Sequence, residues 1–202
     1  ALLAALCFTQ TRWARELEKP GNVLLVGPRG CGKSMMFRRH RLKTKVAAEK
    51  WAEVRSDPYV GFYLPCESIF FNRISDLTEG TVERYRDALL LFFNMAVMAE
   101  VASTLAELPE YIGRVSRKGV ESIRRILSEE IGDLWEELTF PTATTGLSDL
   151  AEYAECVMRY IRKQIAYGER VRSRGSADFV SRLVTAVQNE VPSLVSRLFI
   201  FY

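Results

Sequence analysis

From Gly27 to Ser34 the chain reads Gly-Pro-Arg-Gly-Cys-Gly-Lys-Ser, and the apolar run Val23, Leu24, Leu25, Val26 leads straight into it. The spacing G-x-x-x-x-G-K-S after such a run is the P-loop pattern. A loop that wraps a polyphosphate turns its backbone N–H groups inward, and glycine takes up the required angles without a Cβ clash. Gly27, Gly30 and Gly32 meet that need. A helix opening after Gly32 presents unpaired N–H donors and a partial positive charge to the phosphates. The residues expected to line the nucleotide are Gly27, Pro28, Arg29, Gly30, Cys31, Gly32, Lys33, Ser34 and Met35. Lys33 is placed to reach the terminal phosphates and Ser34 to hold Mg²⁺. The plain alternative, a glycine-rich turn before an ordinary helix, leaves the lysine, the serine and the preceding apolar run as three coincidences.

The rest of the chain is long enough to bury a core around such a loop. It has 202 residues, 48% of them hydrophobic and 26% charged, which fits one domain with or without a large insertion. A net charge of +3 admits an acidic partner such as nucleic acid without requiring one, since ATP suffices as the anion. Cys7, Cys31, Cys66 and Cys156 show no C-x-x-C spacing and are joined by a single histidine, His40, which argues against a metal centre or a disulfide framework. Free thiols beside a phosphate loop fit a reducing cytoplasm. The opening ALLAALCFTQ lacks the basic leader and cleavage pattern of a secretory signal, so the chain is expected to start inside a longer protein. The most apolar run, Ala88 to Ala99, is interrupted by Asn94 and followed by Glu100. A bilayer span needs about 20 apolar residues, so a buried helix is expected and no membrane partner.

In chain order, a first helix is expected over Leu2 to Glu18, ending at Pro20 and Gly21. The helix after Lys33 is expected to run unbroken to about Val54, with Arg38, Arg39, Arg41, Lys43 and Lys45 on a solvated face in preference to a nucleic-acid footprint. YVGFYL, between Pro58 and Pro65, reads as the second strand, and Cys66, Glu67 and Ser68 as the loop after it. Helical periodicity covers Thr81 to Leu108, Val120 to Leu138 and Leu147 to Tyr167. The acids Glu129, Glu130, Asp133, Glu136 and Glu137 fall outside the apolar stripe of the second of these and are expected to face solvent. Ser176 is the expected cap of a last helix burying Phe179, Leu183, Val187 and Val191, and the closing Leu198 to Tyr202 reads as a buried parallel strand.

The sequence NVLLVGPRGCGKSMMFRR, then YVGFYLPC, the FFNMAVMAEVASTL helix and the closing LFIFY resemble prokaryotic ATPases of the origin-recognition type, a branch of the AAA and STAND-like P-loop ATPases. The resemblance implies an α/β P-loop NTPase with a parallel sheet and a large helical insertion between the second strand and the Walker B strand. It places an N-terminal helix at residues 1–20, the nucleotide-binding core at 21–66, the helical insertion at 67–196, and the start of the Walker B strand, returning to the core, at 197–202. The chain is then expected to stop inside that strand, with the Mg²⁺-binding acid, sensor and arginine finger beyond it. The implied activity is an ATP- and Mg²⁺-dependent switch that hydrolyses ATP in the full-length protein, with Lys33 on the β- and γ-phosphates and Ser34 on the metal. A DNA or protein partner and a nucleotide-dependent oligomer are compatible with that role. Two other functions use the same cradle: a non-hydrolysing ATP-binding scaffold or sensor engaging protein or DNA, and a small-molecule kinase whose lid arginines Arg170, Arg172 and Arg174 imitate.

Overall fold

The structure, a computed structural model, describes residues 16–19, 26, 28, 31–64, 79–138, 146–171, 173 and 175–202. The expectations for the Leu2 to Glu18 helix, for a first strand at Val23 to Val26 and for Cys66, Glu67 and Ser68 lie wholly or mostly outside these residues; Val26, which is described, belongs to no strand and is 82% exposed. The chain divides into two compact units, one of residues 1–64 and 193–202, the other of residues 65–192. Among the described residues the chain is mostly helical, with a small parallel sheet.

The first unit holds α1 (Lys33–His40), α2 (Leu42–Ala47), α3 (Trp51–Ser56), β1 (Tyr59–Phe62) and β2 (Leu198–Phe201). β1 and β2 pair in parallel, with Tyr59 opposite Leu198 and Phe62 opposite Phe201. The ladder continues past the strands, since Tyr202 N donates to Phe62 O at 2.8 Å and Leu64 N to Tyr202 O at 2.7 Å. Parallel neighbours need a long crossover, and here residues 63–197 lie between the strands in sequence. Phe62 is buried against Phe199 and Phe201, at ring-centroid distances of 5.4 and 5.3 Å.

The single helix expected from Lys33 to about Val54 is instead three short ones. At Arg41 the backbone turns extended (φ −63°, ψ 131°) and forms a parallel bridge to Gly61 of β1. A tertiary backbone partner outcompetes the local helical propensity of this stretch. Gly61 is required there, because an added Cβ would lie 2.1 Å from the His40 carbonyl oxygen. The basic face expected to be solvated is also partly buried: Arg39 and Lys45 are 8% and 5% exposed.

The second unit holds α4 (Glu79–Glu107), α5 (Pro109–Ile112), α6 (Arg117–Ile131), α7 (Leu134–Glu137), α8 (Leu147–Ala166) and α9 (Phe179–Glu190). α8 packs along α4, and α9 packs on α6. Leu91, Met95 and Met98 of α4, Leu127 and Ile131 of α6, Leu150, Val157 and Ile161 of α8, and Phe179, Leu183 and Val187 of α9 are fully buried. Each such side chain contributes about 1.5–3 kcal/mol by leaving water. By length and composition alone, the Tyr85–Glu107 part of α4 is apolar enough to cross a membrane. The buried polar side chain in its middle is, however, tied into the protein: Asn94 Nδ2 donates to Glu130 Oε1 at 2.6 Å and to Ser176 O at 2.8 Å.

Glu130 is a correction to its expected solvent-facing role, being 4% exposed. Besides Asn94, its Oε1 accepts from Ser176 N at 2.8 Å, and its backbone carbonyl accepts from Ser173 Oγ at 3.3 Å. Burial pushes its carboxyl above the usual range, a rise that the Ser176 N–H and the Asn94 amide oppose. Ser176 does not cap α9 either; the cap position is Asp178, whose carboxylate accepts from Ser176 Oγ. The helix expected over Val120 to Leu138 breaks at Gly132 (φ 51°), separating α6 from α7.

Candidate functional site

The described part of the phosphate loop is Pro28, Cys31, Gly32, Lys33, Ser34 and Met35; Gly27, Arg29 and Gly30 lie outside the described residues. Cys31 N donates to Pro28 O at 3.4 Å. Gly32 follows in the left-handed conformation (φ 88°, ψ 7°), and α1 starts at the next residue. For any residue with a Cβ that conformation costs about 1–2 kcal/mol, which is the physical reason for glycine here.

Among the described residues no side chain caps α1, and its first turn carries no acid. The backbone N–H groups of its opening residues therefore have no partner within the helix. Met36 N is the first to bond back, to Gly32 O at 3.0 Å. Lys33 curls over the loop, its Nζ donating to Pro28 O at 2.8 Å and to Cys31 Sγ at 3.4 Å. Ser34 is exposed, and its hydroxyl makes no hydrogen bond among the described residues. Left-handed glycine, uncapped helix start, ammonium and open hydroxyl converge on one exposed place, and this donor set fits a magnesium nucleotide.

The other end of α1 is fixed by a polar cluster that the sequence did not announce. His40 is 3% exposed, and its Nδ1 shares a 2.9 Å hydrogen bond with the Tyr59 hydroxyl. Lys45 Nζ donates to the same hydroxyl at 2.6 Å and pairs with Asp57, while Tyr59 donates to Glu18 Oε1 at 3.3 Å. Burial first, then the charges of Lys45 and Arg39, pull the His40 imidazole down to about 4, so it is neutral at physiological pH. Burial and the carboxylates of Asp57 and Glu18 push the Tyr59 hydroxyl upward. Tyr202 lies over His40 and stacks on Phe37, ring centroids 5.7 Å apart in each case, and its hydroxyl donates to Leu17 O at 3.0 Å. Arg38 sits 5.1 Å over the ring of Tyr63. The C-terminal half of α1 is thereby held on the residues that follow the two strands.

A protein-family model described as ORC-CDC6-like matches residues 5–202. The chain belongs to the ORC-CDC6-like family. Membership makes this ORC-CDC6-like chain an AAA-type, ATPase-related module and implies nucleotide binding. Neither curated proteins nor solved structures give a match. Of the other basic candidates in the ORC-CDC6-like chain, Arg170 is exposed, and Arg172 and Arg174 lie outside the described residues.

Proposed function

We propose that this chain is the ATP- and Mg²⁺-binding module of an AAA/STAND-like ATPase, a nucleotide-dependent switch that hydrolyses ATP in the full-length protein. The observation that carries this reading is the placement of the Lys33 ammonium over a loop that ends in left-handed Gly32 and an uncapped helix. In the proposed complex Lys33 leaves the Pro28 carbonyl for the β- and γ-phosphate oxygens. The N–H groups of Lys33, Ser34 and Met35 point along the start of α1 toward the anion, and the Ser34 hydroxyl takes a place on the metal. Bound Mg²⁺ supplies charge neutralisation across the phosphate oxygens. Gly27, Pro28, Arg29, Gly30 and Cys31 complete the cradle.

In this reading residues 67–196 are a helical insertion between the second strand of a P-loop core and its Walker B strand, which starts at 197–202. The module works in the cytoplasm, a place supported by the free thiols of Cys31 and Cys156. A DNA or protein partner and a nucleotide-dependent oligomer fit a switch of this type. The test is an ATP titration in Mg²⁺ of wild type against Lys33→Ala. Loss of one charged hydrogen-bond partner of phosphate is worth about 1.5–3 kcal/mol, roughly a ten- to hundredfold rise in Kd. Unchanged affinity in the variant defeats the assignment.

A further inference from the structure

Along the outer side of α6 the second unit carries a cleft of about 530 Å³, lined by Lys118, Glu121, Ser122, Arg124, Arg125, Ser128 and Trp135. Three cations face one carboxylate there, and that carboxylate, Glu121, is engaged by Arg124 at 3.4 Å. Lys118 and Arg125 are exposed and make no ion pair among the described residues, and the Ser122 hydroxyl has no hydrogen bond among them. Among the described residues this positive charge is uncompensated.

The cleft is preformed by its surroundings. Ile123, Ile126, Leu127 and Ile131 bury the opposite side of α6, which fixes Lys118, Ser122 and Arg125 outward at positions i, i+4 and i+7. Ser116 caps the start of the helix, accepting from Gly119 N at 3.0 Å. Trp135 of α7 forms a wall, braced by Tyr153 at 4.7 Å between ring centroids and by the Arg124 guanidinium at 5.6 Å from its ring.

Charge, spacing and donor types together name a ligand chemistry. From Lys118 to Arg125 the helix rises about 10 Å, long enough for more than one phosphate group of a chain to lie along the row. A guanidinium fork, an ammonium and a hydroxyl in one row match tetrahedral oxyanions that accept several hydrogen bonds each. We propose that the α6–α7 cleft binds consecutive phosphate groups of a polyanion, a site separate from the Lys33 cradle. Its exposed charges make the binding strongly salt-dependent, and the phosphates come either from a single-stranded nucleic acid or from a free polyphosphate chain.

The test uses the full chain and fluorescence anisotropy of a labelled single-stranded oligonucleotide across a series of NaCl concentrations. Wild type is expected to bind, and Arg125→Glu and Lys118→Glu each to weaken binding at least about tenfold and to lower the slope of log affinity against log salt by about 0.7 for each phosphate left unneutralised. Arg125→Lys keeps most of the affinity, Lys33→Ala leaves it unchanged, and far-UV circular dichroism of all variants matches wild type. Competition with inorganic tripolyphosphate identifies the source: displacement of the oligonucleotide means that a free phosphate chain suffices, and failure to displace means that a nucleic-acid strand is required. Unchanged affinity in both charge-reversal variants overturns the proposal. So does wild-type binding of poly-glutamate in the absence of binding to either phosphate probe.

Discussion

Gly32 and His40 stand at the two ends of α1, and each is held in a state that a substitution exposes. Gly32 sits at φ 88°, so Gly32→Ala adds about 1–2 kcal/mol of backbone strain at the point where the proposed cradle joins the helix. The expected outcome is weaker ATP binding together with a lower thermal midpoint, read by isothermal titration and by differential scanning fluorimetry; a variant equal to wild type in both contradicts the cradle geometry. Cys31 is exposed inside the same loop, with Lys33 Nζ 3.4 Å from its sulfur. A bulky maleimide on Cys31 is expected to block ATP binding, and saturating ATP to slow the modification, measured by mass spectrometry of the Cys31 peptide. His40 carries a pH dependence of definite sign. Its ordinary value is 6.5 and its folded value about 4, so between these the unfolded chain takes up a proton that the folded chain refuses. Stability is full above pH 6.5, falls as the pH drops toward 4 and levels off below, a loss of roughly 3 kcal/mol at most for this group. His40→Gln removes that component, so the urea midpoints of variant and wild type converge or cross as the pH is lowered from 7 to 4. A difference between them that stays constant with pH shows that His40 is not the buried neutral group described.

At the scale of elements, Glu130 joins α4, α6 and the segment before α9 through Asn94 Nδ2 and Ser176 N. Its carboxyl titrates above the ordinary value, so the stability it contributes is complete below that ordinary value and is lost as the pH rises through the folded one. Glu130→Gln keeps an amide oxygen for both donors and is expected to be at least as stable as wild type at pH 7, with its relative advantage shrinking as the pH is lowered toward 4. Glu130→Leu strands both buried donors and is expected to cost about 1–3 kcal/mol; chemical denaturation of the two variants at both pH values separates these outcomes. The contrast also explains what the sequence displayed. Leu150, Ala154, Val157 and Ile161 recur at helical spacing and are all buried in α8, because a stripe is a local property of the chain. The phosphate-loop pattern was legible for the same reason, since Gly32, Lys33 and Ser34 are consecutive in the sequence. Glu130 reads as one more acid on a charged helix, because its partners lie 36 and 46 residues away. The break at Arg41 is equally silent: its extended backbone is set by Gly61, and nothing in the basic run around it marks a stop. The cluster at His40 draws on Glu18, Tyr59 and Tyr202, and no local pattern links them.

Over the whole molecule, the chain makes one unit from two separated stretches and the other from the continuous run between them. Closing the parallel pair of Tyr59 with Leu198 across so long a stretch carries a loop entropy that grows only with the logarithm of its length, so a large folded unit inside the crossover is tolerated. That tolerance requires the run to satisfy its own core. Its buried side chains lie on elements that pack in pairs, α4 with α8 and α6 with α9. The Glu130 network likewise draws all its partners from within residues 65–192. Residues 65–192 expressed alone are therefore expected to fold, giving a helical circular dichroism spectrum and a sigmoidal thermal transition at 222 nm. Leu183→Ala in that piece is expected to lower its stability by about 2–5 kcal/mol, as for any buried leucine replaced by alanine. A broad, non-cooperative melt of the isolated piece, insensitive to Leu183→Ala, means that its core depends on the first unit and that the division into two units is not one of folding.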